Sequence, residues 1–224
     1  MKKQLIAMVS ALAMTFASLP CVSIAAENVP KPVLQYTFDG NKQLADQNGK
    51  NELKLSGGAS VTDDGNKGKG LLLDGTDGYA ELPDNILSSD MTITTWVKIN
   101  KFTTWGRVFD FGTDSNQNFF FAPYSGGASR VEIKNGATVD TMDCTQETAK
   151  DWVNYAITIK GDTVSYYRNG RLIKSKSGIK DISELTNTAN YIGKSHYDGD
   201  AYLSAVVDLS LIHISEPTRR SYIS

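Results

Sequence analysis

Cysteine and histidine are nearly absent from this chain: two of each in 224 residues. One cysteine, Cys21, falls in an apolar N-terminal run, so Cys144 stands alone in the rest and can make no internal disulfide. A small secreted domain stapled by disulfides is thereby excluded. Met142 and Asp143 before Cys144, and Thr145 and Gln146 after it, offer no catalytic partner, so a free, partly buried thiol is expected. His196 and His213 are too few for a zinc centre or a histidine-dependent nucleophile. Helical periodicity is also missing, with a single helical turn the most that Cys144 to Lys150 could form. Nor is there an excess of positive charge: beyond the first 25 residues, 21 basic groups face 25 acidic ones. A surface that tracks phosphates is not expected, and nucleic acid is not an expected partner.

Glycine and aromatic residues, by contrast, are plentiful, with 19 glycines and 21 of Phe, Trp and Tyr together. The N-terminus reads as a secretory signal peptide over residues 1–25. Lys2 and Lys3 form its basic start, an apolar run follows, and Ser23-Ile24-Ala25 supplies a small-x-small cleavage signal. The apolar run is short for spanning a bilayer, so no membrane insertion is expected once the leader is removed. The predicted location is secreted or at a cell surface.

Beyond the leader the chain is a series of short apolar runs punctuated by turn residues. Val33–Phe38 stops at Asp39-Gly40, and Glu52–Ser56 stops at Gly57-Gly58. Gly70–Asp74 and Tyr79–Pro83 follow. Met91 to Ile99 alternates, with Met91, Ile93, Thr95, Val97 and Ile99 on a core face and Thr92, Thr94, Trp96 and Lys98 opposite. Arg107–Phe111, Asn118–Ala122, Ser129–Lys134 and Trp152–Lys160 come next. Thr163–Arg168 then runs through the hairpin signal Asn169-Gly170 into Arg171–Lys174. Tyr191-Ile192 and Ala201–Val207 close the series. This pattern predicts one all-β domain, a sandwich or jelly roll, with neither linker nor internal repeat.

The order and spacing of several of these segments resemble the laminin-G-like, concanavalin A-like lectin/glucanase jelly-roll superfamily. They are Val33–Asp39, Gly68–Gly75, Thr92–Val97, Asp151–Ala156, Tyr167–Gly170 and Tyr191–Ser195. The resemblance covers nearly all of Val33 to Asp208. It implies a two-sheet antiparallel β-sandwich over residues 26–208, a type of domain that in bacteria often accompanies secreted glycoside hydrolases and sometimes binds sugars. Members usually close with a strand of the form Ile/Val-Asp-Asp/Glu-Phe/Val-Arg-Ile/Val-Tyr, which pairs with the opening strand. Here Val206-Val207-Asp208 begins that strand, and Leu209 departs from it. Leu209 to Arg219, LSLIHISEPTR, resembles the in-frame translation of a transposase adaptor used to build sequencing libraries. Residues 209–224 are therefore read as a non-native tail, and the domain as C-terminally truncated. Leu209, Leu211 and Ile214 can nevertheless mimic a few alternating positions, so a strand as far as Ile214 is expected.

Glycoside hydrolysis needs two carboxylates across a sugar. Glu132, Asp110 and Asp143 are candidates, but no pair stands out, and the Glu-x-Asp-x-x-Glu strand of catalytic relatives is missing. The domain is read as noncatalytic, with further domains of the same natural polypeptide, a glycoside hydrolase, expected. A glycan-binding surface needs a flat aromatic platform with polar neighbours. Trp105, Tyr124, Arg130, His196 and Tyr197 lie in or beside loops and are the candidates. Trp105 could instead pack on Phe109, and Trp96 and Trp152 read as core or inter-sheet packing. The resemblance also implies one structural calcium ion. Asp39, Asp46, Asn48, Asn51, Asp74 and Asp208 are the oxygen donors near strand ends, with Asx-turns as the alternative use of the same residues. Two functions follow: a carbohydrate-binding or accessory module of a polysaccharide-degrading enzyme, or an adhesion or structural domain of a cell-surface protein.

Overall fold

The computed structural model describes residues 32–214, and the side chains of 32–208. The leader at 1–25 and the tail from Ser215 onward lie outside the described residues. Among the described residues, fifteen strands form two antiparallel sheets. They are β1 (Leu34–Tyr36), β2 (Lys54–Ser56), β3 (Ser60–Thr62), β4 (Gly70–Asp74), β5 (Tyr79–Leu82), β6 (Met91–Lys101), β7 (Phe109–Asp114) and β8 (Gln117–Ala122). The second half supplies β9 (Ala128–Asn135), β10 (Thr138–Thr145), β11 (Val153–Lys160), β12 (Thr163–Arg168), β13 (Arg171–Ser177), β14 (Ala189–Ile192) and β15 (Ser204–Ile214). One sheet runs β13-β12-β11-β6-β15-β4-β3, with β1 added against β15. The other runs β10-β9-β8-β7-β14-β5-β2.

Alternation explains the layering. In β6, Met91, Ile93, Thr95, Val97 and Ile99 are buried on the core side while Thr92, Thr94, Trp96 and Lys98 are half-buried on the opposite face. Phe109 and Phe111 of β7, Phe119 and Phe121 of β8, and Val131 and Ile133 of β9 meet them from the seven-stranded sheet. Phe109 lies edge-on to Phe119 at 5.1 Å, and Phe121 edge-on to Tyr155 at 5.1 Å, the geometry that aromatic quadrupoles favour. Asn169 and Gly170 both take positive φ, 50° and 75°, as the tight turn between β12 and β13 requires.

Three expectations need correction. No helical turn forms at Cys144 to Lys150; Thr138–Thr145 is instead an edge strand, and the one helical turn among the described residues is a 3-10 turn at Ile182–Glu184. The short strand β3 also escaped the sequence pattern, because it offers Val61 alone as an apolar residue. Trp96 and Trp152 are not core residues. Both are half-buried on the outer side of the eight-stranded sheet, Trp152 beneath the Lys98 ammonium at 5.4 Å.

β15 does continue to Ile214. Its first part pairs with β4 through Val206 and Val207; beyond a register shift after Asp208, Ser210, Leu211 and Ile212 pair with Tyr36, Gln35 and Leu34 of β1. At the opposite rim the two edge strands are tied together. Lys176 of β13 meets Asp140 of β10 at 2.9 Å, and Lys174 donates to the Asp143 carbonyl at 2.8 Å. Such charged edges discourage pairing with another chain.

Candidate functional site

The same alternation that buries Phe119 and Phe121 turns Phe120 to the outer face of the seven-stranded sheet. Cross-strand register places Phe120 between Asp110 of β7 and Glu132 of β9, with Tyr191 of β14 beyond Asp110 and Thr141 of β10 beyond Glu132. The outer face therefore carries a polar and aromatic row, although its strands are apolar on the inner side.

Two loops rise over this row. Residues 102–108 fold back after β6, held by the Trp105 amide donating to the Tyr124 carbonyl at 3.0 Å and the Val108 amide to that of Phe121 at 2.9 Å. Residues 193–203 are closed by the Leu203 amide on the Gly193 carbonyl at 2.9 Å. Within the second loop Ser195 Oγ donates to Asp200 Oδ2 at 2.8 Å and accepts from the Tyr197 amide at 3.0 Å. Between the loops lies a cleft of about 250 Å³ lined by Trp105, Arg107, Phe120, Arg130, Glu132, Tyr197 and Asp200.

Arg107 is the floor. Its guanidinium carbon sits 3.6 Å from the centre of the Phe120 ring, a cation–π contact, and its side chain is only 3 % exposed. Nη2 donates to Asp200 Oδ2 at 3.0 Å, while Nε stays 3.6 Å from Asp110 Oδ2 and, like Nη1, has no hydrogen-bond partner. Burial pulls the guanidinium below the usual arginine value, and Asp110, Asp200 and Glu132 act in the other direction. Arg130 is held more completely. Its Nε and Nη2 bind the two Asp143 oxygens at 2.7 and 2.9 Å, and this raises it above the ordinary arginine value. Both guanidinium carbons lie 5.1 Å from the Trp105 ring centre. Trp105 itself takes φ 68°, a left-handed conformation costly for a bulky L-residue. Strain of this kind concentrates where a side chain is needed in one place.

Trp105, Arg130 and Tyr197, named from the sequence, line this cleft together. Tyr124 stands behind it with its ring against Phe102 at 6.2 Å. His196 lies beneath: its side chain is 4 % exposed, Nδ1 is 2.9 Å from Asp110 Oδ1, and its ring packs on Tyr191 at 4.9 Å. Trp105 is half-buried with its ring against the Arg107 and Arg130 guanidinium groups, whereas the Phe109 ring packs on Phe111 and Phe119 in the core. Sequence reasoning missed Arg107, Phe120 and Asp200 as site residues. The alternation of Arg130, Glu132 and Lys134 with Val131 and Ile133 was a usable signal for one wall, but the loop residues become neighbours only through the fold. The three carboxylates considered for catalysis are dispersed in role. Asp110 is buried against His196 and Asn118, Asp143 is bound to Arg130, and only Glu132 lines the cleft.

The six calcium candidates fall into three sets. Asp46 accepts the Lys50 and Asn51 amides at 2.8 and 3.2 Å and the Asn51 side chain at 3.0 Å, while Asn48 donates to the Val33 carbonyl at 3.4 Å. Asp74 Oδ1 accepts the amides of Thr76, Asp77 and Gly78. These are Asx-type loops whose carboxylates serve the backbone. Asp39 and Asp208 also accept backbone amides, those of Lys69 and Lys67, both at 2.9 Å, and they share a cleft of about 230 Å³ with Thr37, Asn66, Lys67 and Trp96. Among the described residues, no three or more His, Cys, Asp or Glu side chains gather as a metal cluster.

Residues 74–215 match the profile of the Concanavalin A-like lectin/glucanases superfamily. The chain belongs to that superfamily. An alpha-L-arabinofuranosidase of Bifidobacterium longum subsp. longum is 28 % identical over 193 residues, covering 75 % of this chain and 18 % of the relative. The chain thus spans less than a fifth of that curated relative. Among solved structures, domain 4 of AbnA, a GH43 extracellular arabinanase from Geobacillus stearothermophilus in complex with arabinotriose, superposes with a TM-score of 0.73 at 22 % identity. The match covers 83 % of this chain and 93 % of that one. The binding domain of Paraclostridial Mosquitocidal Protein 1 gives 0.63 at 16 % identity, with 84 % and 49 % covered. At these identities the solved structures establish the concanavalin A-like fold.

Proposed function

We propose that this chain is a noncatalytic carbohydrate-binding module of a larger, secreted glycoside hydrolase, and that the outer-face cleft holds the glycan. The observation that carries the reading is the cleft itself: Trp105 and Tyr197 stand as aromatic walls around a desolvated arginine and two carboxylates. Sugars present apolar ring faces and a rim of hydroxyls that both donate and accept, so aromatic stacking beside fixed charged partners is the complement they need. The arabinofuranosidase relative and the arabinanase domain favour arabinose-containing polysaccharide as the target. The leader supports export, for which N-terminal sequencing of the exported protein should give a start at Ala26 or Glu27. The calcium part of the proposal narrows to Asp39 and Asp208, whose carboxylates face one cleft with the Thr37 and Asn66 side chains beside them.

Calorimetric titration of the full chain with arabino-oligosaccharides tests the reading. Trp105→Ala should weaken binding by about 1–3 kcal/mol if its ring stacks on the sugar. Unchanged binding by a folded Trp105→Ala protein would remove the cleft from the account. The adhesion reading shares the cleft but not the ligand. Retention on intact cells, with no affinity for arabinan, would decide for it.

A further inference from the structure

Resting on the reading of the cleft as a glycan site, the geometry points to its ligand class: one uncharged sugar ring, gripped by neighbouring hydroxyls, with acidic glycans rejected. Three observations converge on this. The first is the charge balance. Arg107 and Arg130 are the cations of the cleft, and both already face carboxylates: Arg107 faces Asp200 and Asp110, and Arg130 faces Asp143 and Glu132. Four carboxylates thus surround two guanidinium groups. A uronate, sialate or sulfate would enter an environment without surplus positive charge and would have to displace an existing ion pair.

The second observation is which atoms have no partner. Asp200 uses Oδ2 to accept both Arg107 and Ser195, and Glu132 uses Oε2 to accept Thr141 at 3.0 Å with Arg130 at 3.5 Å. Among the described residues, Oδ1 of Asp200 and Oε1 of Glu132 make no hydrogen bond. Each carboxylate is therefore anchored through one oxygen and offers the other. Arg107, which lines the same cleft, has in Nη1 a buried charged donor with no partner among the described residues, an arrangement that is uncommon unless a water or ligand oxygen completes it. A hydroxyl is the group that matches this set, because it donates to a carboxylate oxygen and accepts from a guanidinium at once. Two adjacent hydroxyls of one ring would meet both kinds of partner, whereas an anionic group can only accept and would lie against two carboxylate oxygens.

The third is size. About 250 Å³ is below the range of pockets that enclose drug-sized ligands, and Trp105 and Tyr197 are the aromatic walls of that space. It suits a single ring with a face against an aromatic wall, with the remainder of the chain outside.

The test titrates the full chain with three probes at matched salt: arabinotriose, a trimer of galacturonate, and an arabinoside lacking one hydroxyl of the vicinal pair on its terminal ring. Arabinotriose should bind, the galacturonate trimer should not, and the deoxy ring should lose about tenfold or more of the affinity. Glu132→Gln and Asp200→Asn keep shape and should each weaken arabinotriose by a similar factor, with thermal unfolding as the check on folding. Tighter binding of the acidic trimer that is abolished by Trp105→Ala would overturn this inference while leaving a glycan-binding cleft. Arabinotriose binding indifferent to the deoxy ring and to both carboxylate variants would also overturn it. If neither trimer binds, the proposed arabinose-containing target falls, and this inference with it.

Discussion

Two polar regions of the molecule look alike in sequence and differ in what their atoms do. The loop from Asp46 to Asn51 is rich in Asp, Asn and Gly, and both oxygens of Asp46 are taken up by Lys50 and Asn51. The outer-face cleft has no fewer charged groups, yet Arg107 has two nitrogens without a partner, and Glu132 and Asp200 each keep one oxygen uncommitted. Polar groups that satisfy one another hold a fold. Polar groups held in place by only part of their capacity, on residues that line a cleft, are what the proposed glycan site rests on. Charge density alone does not separate the two cases; the hydrogen-bond partners do.

The comparison breaks most visibly at Glu147, a buried carboxylate whose bonds are all internal. It accepts the Tyr155 hydroxyl at 3.2 Å, Arg168 at 3.1 Å and the amides of Thr148 and Ala149 at 2.8 Å. Glu147→Ala should cost about 3 kcal/mol or more in a urea melt, since it strands a buried hydroxyl and a guanidinium, and should leave glycan affinity unchanged once folded. Trp105→Gly should give the opposite pattern. Glycan binding should be lost, while a left-handed backbone that costs a bulky residue about 1–2 kcal/mol is relieved, so that the melt moves little or upward. A large fall in stability with binding retained would show Trp105 to be structural. Asp46→Ala should lie between the two, at about 1–2 kcal/mol of stability with no change in binding.

Acid should act on the committed region. Burial alone would raise Glu147, but the Ala149 amide, Arg168 and the Thr148 amide outweigh it and leave its carboxyl below the usual range. Asp46 and Asp140 follow the same pattern, burial opposed by Asn51 and by Lys176 respectively, and Asp143 is lowered first by its bond to Arg130. A carboxyl lowered in the folded state stabilises the fold fully above its unfolded value, about 4, and loses that contribution as pH falls through the folded value. Stability should therefore be flat from neutrality to about pH 5 and decline below about pH 4, as read by thermal melts across that range. The smallest expected effect is that of calcium. Excess calcium should raise the melting midpoint over that in chelator, and Asp39→Asn should abolish the difference. Equal midpoints with and without the ion would remove calcium from the account.

Much of the sandwich was legible because β-sheet burial has period two. The alternation of Met91 to Ile99 and the turn pair Asn169-Gly170 each specify a face or a reversal locally. β3 and β10 were not legible. Edge strands with few apolar residues carry little periodic signal, and pairing with β4 and β9 supplies what their own residues lack. The candidate cleft was legible in the loop aromatics Trp105 and Tyr197 and in Arg130 of β9. It was not legible in Phe120, whose neighbours Phe119 and Phe121 suggest a continuous core run, nor in Asp200, which meets Arg107 across 93 positions of sequence. Contacts of that kind depend on strand order, which no local pattern encodes.

The most direct test of the central claim is to map a bound sugar. Backbone amide shifts of the folded chain titrated with arabinotriose should move together at Trp105–Arg107, Arg130–Glu132 and Tyr197–Asp200, with the Asp46 and Asp74 loops unmoved. Shifts confined to the eight-stranded sheet around Trp96 and Trp152, or to the Asp-rich turns, would place the ligand elsewhere and contradict the assignment of the cleft.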